Sequence, residues 1–236
     1  INVYGYNLEE GAKELIAPNF YDDNKEIKIP LDPTKTAREN SQKYFDRYGK
    51  LKRTAEALDT LLAETKAEID HLESIQNSLD IALSADDLVQ IKQELTEYGF
   101  IKKHRTGKKE KVKSKPFHYL SSDGYDMYVG KNNYQNDELT FKFATGNDWW
   151  FHAKGMPGSH VIVKNKGEEM PDRVYEEAAM LAGYYSKGRE SDKIEIDYLQ
   201  KKNVKKPAGS APGFVVYYTN FSMTIHPDIS ALTLLE

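Results

Sequence analysis

Apolar and polar positions alternate with a coiled-coil spacing through much of the first half of the chain. Between residues 44 and 72, apolar or small side chains recur at alternating steps of four and three, the pattern of a coiled-coil seam. No proline occurs between Pro33 and Pro116. We therefore predict one helix from about Lys35 to Leu83, roughly 70 Å long at about 1.5 Å per residue. A two-helix hairpin turning near residues 60 to 65 is the alternative, although no turn residue supports it. The seam positions are Tyr44, Tyr48, Leu51, Ala55, Leu58, Leu62, Thr65, Ile69 and Leu72.

A strand pattern precedes this helix. Residues 12 to 17 and 26 to 29 alternate polar and apolar positions around a turn-rich segment, which predicts a β-hairpin. Two strands alone bury too little surface to be stable, so the hairpin needs a neighbour. Asp32 or Thr34 is predicted to cap the long helix.

The second half changes to a strand pattern. Ser84 is predicted to end the long helix and to cap a shorter one that reaches Gly99. Pro171 is predicted to open a helix that extends to about Lys187. We expect an α+β fold: a small hairpin and a long coiled-coil helix, then a mostly antiparallel domain with one main helix. The predicted strands of that domain are 118–120, 125–129, 139–143, 149–152, 160–163, 193–199, 214–218 and 223–226.

Composition limits the class of protein. The 236 residues are 39% hydrophobic, and no stretch approaches the roughly 20 apolar residues that a membrane span needs. The mean hydropathy is −0.71. No signal peptide is recognisable at the start. Cysteine is absent, which excludes disulfides and thiolate sites and suits a reducing cytoplasm. Because the chain begins at Ile1, we interpret it as part of a longer protein.

Charge divides the chain into two unlike halves. Residues 1 to 99 hold 12 Lys and Arg against 20 Asp and Glu, a net of −8, whereas residues 100 to 236 hold 21 against 17, a net of +4. Residues 102 to 115 alone contain eight basic side chains and one acidic side chain. This segment is either a solvated linker or a strap that contacts phosphate. We predict a hairpin element (1–33), a coiled-coil arm with a short helix (34–99), a basic linker (100–116) and a mostly antiparallel α+β domain (117–236).

Amide, aromatic and imidazole side chains are concentrated between Ser121 and Val163. Aromatic faces stack on bases, amides meet base edges and cations meet phosphates, so this combination favours RNA recognition. Turn formation by the amides and core packing by the rings are the structural alternatives. The two adjacent tryptophans would face opposite sides of a strand, so at most one reaches a ligand. The candidates are Lys131, Asn132, Asn133, Gln135, Asn136, Asp148, Trp149, Trp150, His152, Ser159 and His160.

Two lysine-rich segments add candidate contacts. Residues 200 to 213 read QKKNVKKPAGSAPG, a positive, flexible edge that can approach a phosphate backbone closely. Its candidate residues are Lys201, Lys202, Lys205 and Lys206. On the predicted arm, a second basic cluster is a candidate contact for RNA or protein, although exposed coiled-coil faces are commonly charged; it comprises Arg47, Lys50, Lys52 and Arg53.

Catalytic alternatives find little support in the sequence. Ser159 lies in PGSH and not in a G-x-S-x-G elbow, so acyl transfer with Asp148 and a histidine is weakly indicated. No HExxH, GxxxxGK[ST] or GxGxxG motif occurs. We predict no catalytic residue, no metal and no cofactor. An RNA-processing enzyme that uses His152 or His160 is the rival in this class.

The motifs DGY-x-x-YVGKNN-x-QND-x-LT and DWWFHAKG-x-PGSHVIV resemble the RNA-binding domain of the NFACT family of ribosome quality-control factors. A lysine-rich KKP-x-G-x-x-PG element is similar to one in that family. Lys131 is a departure, because the family more often has arginine there, and a lysine cannot make a flat two-pronged contact. The resemblance covers nearly the whole chain and is strongest in residues 121 to 218.

The resemblance implies the partners of the full protein. It would bind a large ribosomal subunit carrying stalled peptidyl-tRNA, reach rRNA and the stalk-base protein with its arm, and hold tRNA. Bacterial members are implied to recruit alanyl-tRNA for untemplated tails, with the ribosome forming the peptide bond. Since some members are called fibronectin-binding, a fibronectin- or fibrinogen-binding adhesin is the other rival. The exposed seam further predicts self-association.

Overall fold

The computed structural model describes residues 1 to 102 and 114 to 235. The chain forms two compact units, Ile1–Lys66 and Ala67–Glu236. Most of the basic segment 102 to 115 lies outside the described residues, so both interpretations of it stay predictions. None of the helices in the described part of the chain is long and apolar enough to cross a membrane.

The first unit contains the predicted hairpin. Strands β1 (Glu14–Pro18) and β2 (Glu26–Pro30) pair antiparallel, with Leu15 opposite Ile29. Asp23 and Asn24 adopt positive φ angles of 47° and 56° in the turn, a backbone region that Asp and Asn tolerate better than most residues. The hairpin prediction is confirmed.

Helix α1 (Ala37–Ile81) is a single uninterrupted helix, as the seam predicted. Its start differs from the prediction. Thr36 and Glu39 exchange reciprocal hydrogen bonds that form a capping box, whereas Asp32 accepts hydrogen bonds from Thr34 in the turn before the helix. Asp32 and Thr34 are therefore not the caps. The large apolar seam side chains are exposed within the described chain, with Leu62 at 66%.

Helix α2 (Asp87–Glu97) follows α1 within the second unit. Ser84 and Asp87 exchange hydrogen bonds in the turn that leads into the helix, and Asp86 occupies its N-cap position. The chain leaves the helix at Gly99, whose φ of +78° favours glycine.

A seven-stranded antiparallel sheet forms the centre of the second unit. Its order is β8-β7-β5-β6-β4-β3-β9, and each neighbouring pair is antiparallel. The strands are β3 (Phe117–Leu120), β4 (Asp126–Val129), β5 (Trp149–Ala153), β6 (Val161–Val163), β7 (Ile194–Gln200), β8 (Phe221–Ile225) and β9 (Thr233–Leu234).

The two faces of this sheet carry separate cores. Helix α4 (Asp172–Tyr184) packs on the first face, against a cluster that includes Phe151 and Val161. The second face carries a smaller cluster that includes Trp150 and Ile162. Successive strand residues point to opposite faces. The sheet therefore presents a second face whose covering segments define the candidate site.

The covering of the second face was not predicted. Helix α3 (Asn133–Glu138) runs directly into a π-helix (Leu139–Phe143), so the predicted strand 139–143 is wrong. The helix that is capped by Asn132 continues because no proline or glycine occurs between residues 133 and 143. Leu139 and Thr140 are buried. The predicted strand 214–218 is also wrong, since only an isolated bridge joins Val216 to Lys205.

Candidate nucleic-acid interface

The amide residues of the GKNN-x-QN motif lie in the interior and organise the start of α3. Asn132 caps the helix by accepting from the backbone N–H of Gln135 at 3.0 Å, and Asn136 Oδ1 accepts from the backbone N–H of His160 at 3.0 Å. Asn132, Asn133, Gln135 and Asn136 are each less than 5% exposed. Gly130 precedes them because a Cβ there would lie 2.2 Å from Asn136 Oδ1. These side chains support the fold, and direct RNA contact by them stays a prediction.

The same amides join α3 to the two helices that precede the sheet. Asn133 Nδ2 donates to Ser74 Oγ at 2.8 Å and to Glu94 Oε1 at 2.9 Å. His71 Nε2 lies 2.7 Å from the same Glu94 oxygen. Glu94 is fully buried, so it depends on these partners in place of water. Asn133 is the residue on which α1, α2 and α3 converge.

Lys131 lies beside this junction. Its ammonium is 3.3 Å from Asp87 Oδ1 and 4.4 Å from the centre of the Phe117 ring. Burial raises the pKa of Asp87, but hydrogen bonds from Ser114, Leu83 and Ser84 outweigh it, so the net pKa lies below its usual value. Lys131 is half-buried and already paired with Asp87, and a phosphate contact by it stays a prediction.

Asp148 also serves the interior. Its carboxylate accepts from the backbone N–H groups of Thr145 and Asn165 and pairs with the Lys164 ammonium. Burial raises its pKa, yet these partners hold the net pKa below the usual value. Asp148 is therefore ionised and occupied, and it fixes Lys164 at the end of β6.

The two tryptophans face opposite sides of β5, as the strand geometry predicted. Trp150 is fully buried in the second core. Trp149 is half-buried on the first face, against Tyr175, Tyr198 and Phe221. Neither indole is openly exposed, so stacking of a base on Trp149 stays a prediction and requires access past Phe221.

The histidine and serine candidates do not form a catalytic triad. His160 Nδ1 lies 2.8 Å from Thr140 Oγ1 and 3.2 Å from the carbonyl of Asn136, while Ser159 Oγ is buried without a hydrogen-bond partner among the described residues. Desolvation lowers the pKa of His152 to about 4 and lowers the pKa of His160 well below its usual value. Both rings are therefore neutral near pH 7 and are placed as packing elements.

The lysine-rich segment forms an open positive edge. Lys202 and Lys205 are exposed, and Lys201 lies with its ammonium 5.6 Å from the centre of the Phe141 ring. Lys206 differs, because Asp137 at 2.9 Å and the carbonyl of Ala211 at 2.6 Å hold its ammonium. The exposed Lys142 lies next to Phe141 on the π-helix. We call Lys142, Lys201, Lys202 and Lys205 the basic edge.

The four basic arm candidates, Arg47, Lys50, Lys52 and Arg53, are all exposed on α1. They belong to the first compact unit, whereas the other candidates belong to the second.

Some residues of the second face were missed by sequence reasoning. Phe143 is 41% exposed at the end of the π-helix, and its ring lies 4.7 Å from that of Tyr128, which stacks on His118. The incorrect prediction of a strand at residues 139 to 143 gave no indication that this ring is exposed. The FKF sequence, with a lysine between two phenylalanines, was the available signal.

Two family descriptions match the sequence consecutively. Residues 1–114 match "NFACT N-terminal and middle domains", and residues 115–218 match "NFACT protein RNA binding domain". Together they cover most of the chain.

Curated relatives match over nearly all of this chain. It is 42% identical over 97% of its length to the Rqc2 homolog RqcH of Streptococcus pneumoniae (strain D39), and 35% identical over 98% to the Rqc2 homolog RqcH of Bacillus subtilis (strain 168). It spans 41% of the length of each of these relatives.

A solved structure shares the fold. The C-terminal part of the fibronectin/fibrinogen-binding protein from Streptococcus suis superposes with a TM-score of 0.74 at 42% identity. The match covers 82% of this chain and 77% of that one.

Proposed function

The chain belongs to the NFACT family, and on that basis we propose that it is the RNA-binding part of a ribosome quality-control factor. The observation that carries the proposal is the basic edge. Lys202 and Lys205 project into solvent from the unit that contains the matched RNA-binding domain. Exposed lysines supply affinity for phosphate without sequence preference.

The proposal extends to the whole protein. It binds the large ribosomal subunit that carries a stalled peptidyl-tRNA, and it holds a tRNA, alanyl-tRNA in our proposal, for untemplated tailing of the nascent chain. Its place of action is the cytoplasm. The chain spans 41% of the length of its curated relatives, so these activities of the whole protein are proposals.

The first unit supplies the proposed ribosome contact. Arg47, Lys50, Lys52 and Arg53 are exposed on α1 and are proposed to meet rRNA and the stalk-base protein. The exposed apolar seam on the same helix is proposed to pair with a second helix or with a second copy of the chain.

We further propose that the protein catalyses no reaction itself. Its contribution is to position RNA for chemistry performed by the ribosome, which is an effective contribution to rate. The orphaned Ser159 hydroxyl and the pairing of His160 with Thr140 support this proposal, because a nucleophile needs a base in hydrogen-bond contact.

Co-sedimentation with large ribosomal subunits tests the proposal. The double substitution Lys202→Glu and Lys205→Glu is expected to reduce the sedimenting fraction severalfold, because it places two negative charges against the phosphate backbone. The matched control is Lys154→Glu with Lys193→Glu. These two exposed lysines lie at the end of the β5–β7 pair that is farther from Lys202. The control variant should therefore bind as the unsubstituted chain does.

Two results would contradict the proposal. One is that the unsubstituted chain stays in the supernatant at low salt. The other is that the two double variants lose binding equally, which would show that the effect follows net charge and not the basic edge.

Fibronectin or fibrinogen binding is the second candidate function, because the Streptococcus suis relative with the matched fold carries that name. Saturable binding of the chain to immobilised fibronectin, unaffected by the Lys202 and Lys205 substitutions, would favour it. Binding that those substitutions remove would assign it instead to general polyanion attraction at the basic edge.

A further inference from the structure

Three rings form a continuous row on the second face of the sheet. His118 on β3 and Tyr128 on β4 stack nearly parallel, with centroids 4.4 Å apart and planes at 8°. The edge of Phe143 follows, 4.7 Å from Tyr128 at 69°. We call His118, Tyr128 and Phe143 the aromatic row.

The row is open to solvent at the Phe143 end. Phe143 is 41% exposed, whereas Leu139 at the other end of the same π-helix is 3% exposed. His118 and Tyr128 are half-buried. Phe143 packs one part of its ring against Tyr128 and leaves the rest accessible to a ligand.

Cations surround these rings. Lys164 places its ammonium 4.8 Å from the centre of the Phe143 ring, and Lys201 lies over Phe141. Lys142, between the two phenylalanines, is exposed. Two nearby carboxylates are engaged, since Asp126 pairs with His118 and Asp148 with Lys164, while the exposed Glu138 lies just before the π-helix. The row therefore has the exposed Lys142 beside Phe143 as its cation for a ligand.

The combination of an accessible ring with neighbouring lysines distinguishes between classes of partner. Protein interfaces are depleted in lysine, whereas sites for single-stranded nucleic acid combine aromatic stacking with a positive groove along the backbone. A regular duplex keeps its bases stacked on one another, so it does not offer a free base face. The chemistry of this surface fits unpaired nucleotides.

We propose that the aromatic row binds unpaired RNA, with a base stacked on Phe143 beside Tyr128 and the adjoining phosphate at Lys142. This inference rests on the proposed RNA-binding function and names the form of RNA that the second face selects. The basic edge supplies affinity for any RNA backbone, and the row adds a preference for loops and single-stranded ends.

Fluorescence anisotropy with two labelled RNAs tests the proposal: a short unstructured strand, and a duplex that contains the same strand. Phe143→Leu is expected to weaken binding of the single strand about tenfold, because the variant loses the stacked base. Duplex binding should not change. Phe143→Tyr retains a ring and should bind the single strand nearly as well as the unsubstituted chain.

The matched control is Phe20→Leu, which removes a ring that is 66% exposed and stacks on Tyr4 in the first unit. It should leave both affinities unchanged. If Phe143→Leu binds the single strand normally, or loses both RNAs equally, the stacking site is overturned while RNA binding stands. If the unsubstituted chain binds neither RNA, the proposed function itself fails.

Discussion

The neutral histidines of the second core give the protein a defined response to acid. His152 and His160 lie with ring centroids 5.5 Å apart beside Trp150. Desolvation lowers the pKa of His152 to about 4 from its usual 6.5. The unfolded chain therefore takes up a proton near pH 6.5 that the folded chain takes up only near pH 4.

The contribution of neutral His152 to the free energy of unfolding should consequently be fully present above about pH 6.5. It should decrease as the pH falls toward 4. The His152 part of this slope is at most about 1.4 kcal/mol per pH unit. His152→Phe keeps a ring but removes the titration, so urea unfolding across this range should show a shallower pH dependence. An unchanged slope in the variant would contradict the assignment.

The orientation of a side chain within its own strand was easier to predict than its burial against a distant part of the chain. The opposite orientation of Trp149 and Trp150 followed from strand geometry alone. Burial of Asn133 did not, because an asparagine in a turn and an asparagine paired with a buried glutamate look alike in sequence. The distinction depends on Glu94, which is distant in the chain, and no local spacing records that pairing.

At the scale of elements, the amide motif fastens three helices together. Asn133 of α3 donates to Ser74 of α1 and to Glu94 of α2. A buried carboxylate deprived of a donor retains its desolvation cost. The motif that resembles an RNA-contact loop therefore has a clear structural task in this fold.

Asn133→Ala is expected to lower the free energy of unfolding by about 1–3 kcal/mol, because Glu94 loses a hydrogen bond. Urea unfolding measures the change, and Glu138→Ala, exposed on the same helix, should change it little. If Asn133→Ala unfolds normally but loses RNA affinity, the residue contacts RNA directly and the supporting role is wrong.

The long helix and most strands could be predicted because their periodicity is a local property. Helix α1 lies within two residues of the predicted limits at each end. The π-helix could not, since Leu139–Phe143 alternates as a strand does, and it is the preceding cap at Asn132 that commits the segment to a helix. The short strand β9 has too few residues to show any period.

At the scale of the whole molecule, the two halves of the sequence carry net charges of opposite sign. The net charge of −4 would suggest repulsion from RNA, yet a local positive surface can attract phosphate regardless of the total. The basic edge belongs to the second unit, and the exposed arm cations belong to the first. We propose that the basic edge binds RNA and that the arm cations contact the ribosome.

The salt dependence of tRNA binding tests the role of the basic edge most directly. For the unsubstituted chain, the logarithm of the association constant should fall linearly with the logarithm of salt concentration. Lys202→Glu with Lys205→Glu should reduce that slope by about 2, about 1 for each lost phosphate contact, whereas Lys154→Glu with Lys193→Glu should leave it unchanged. An identical slope in all three proteins would contradict the account.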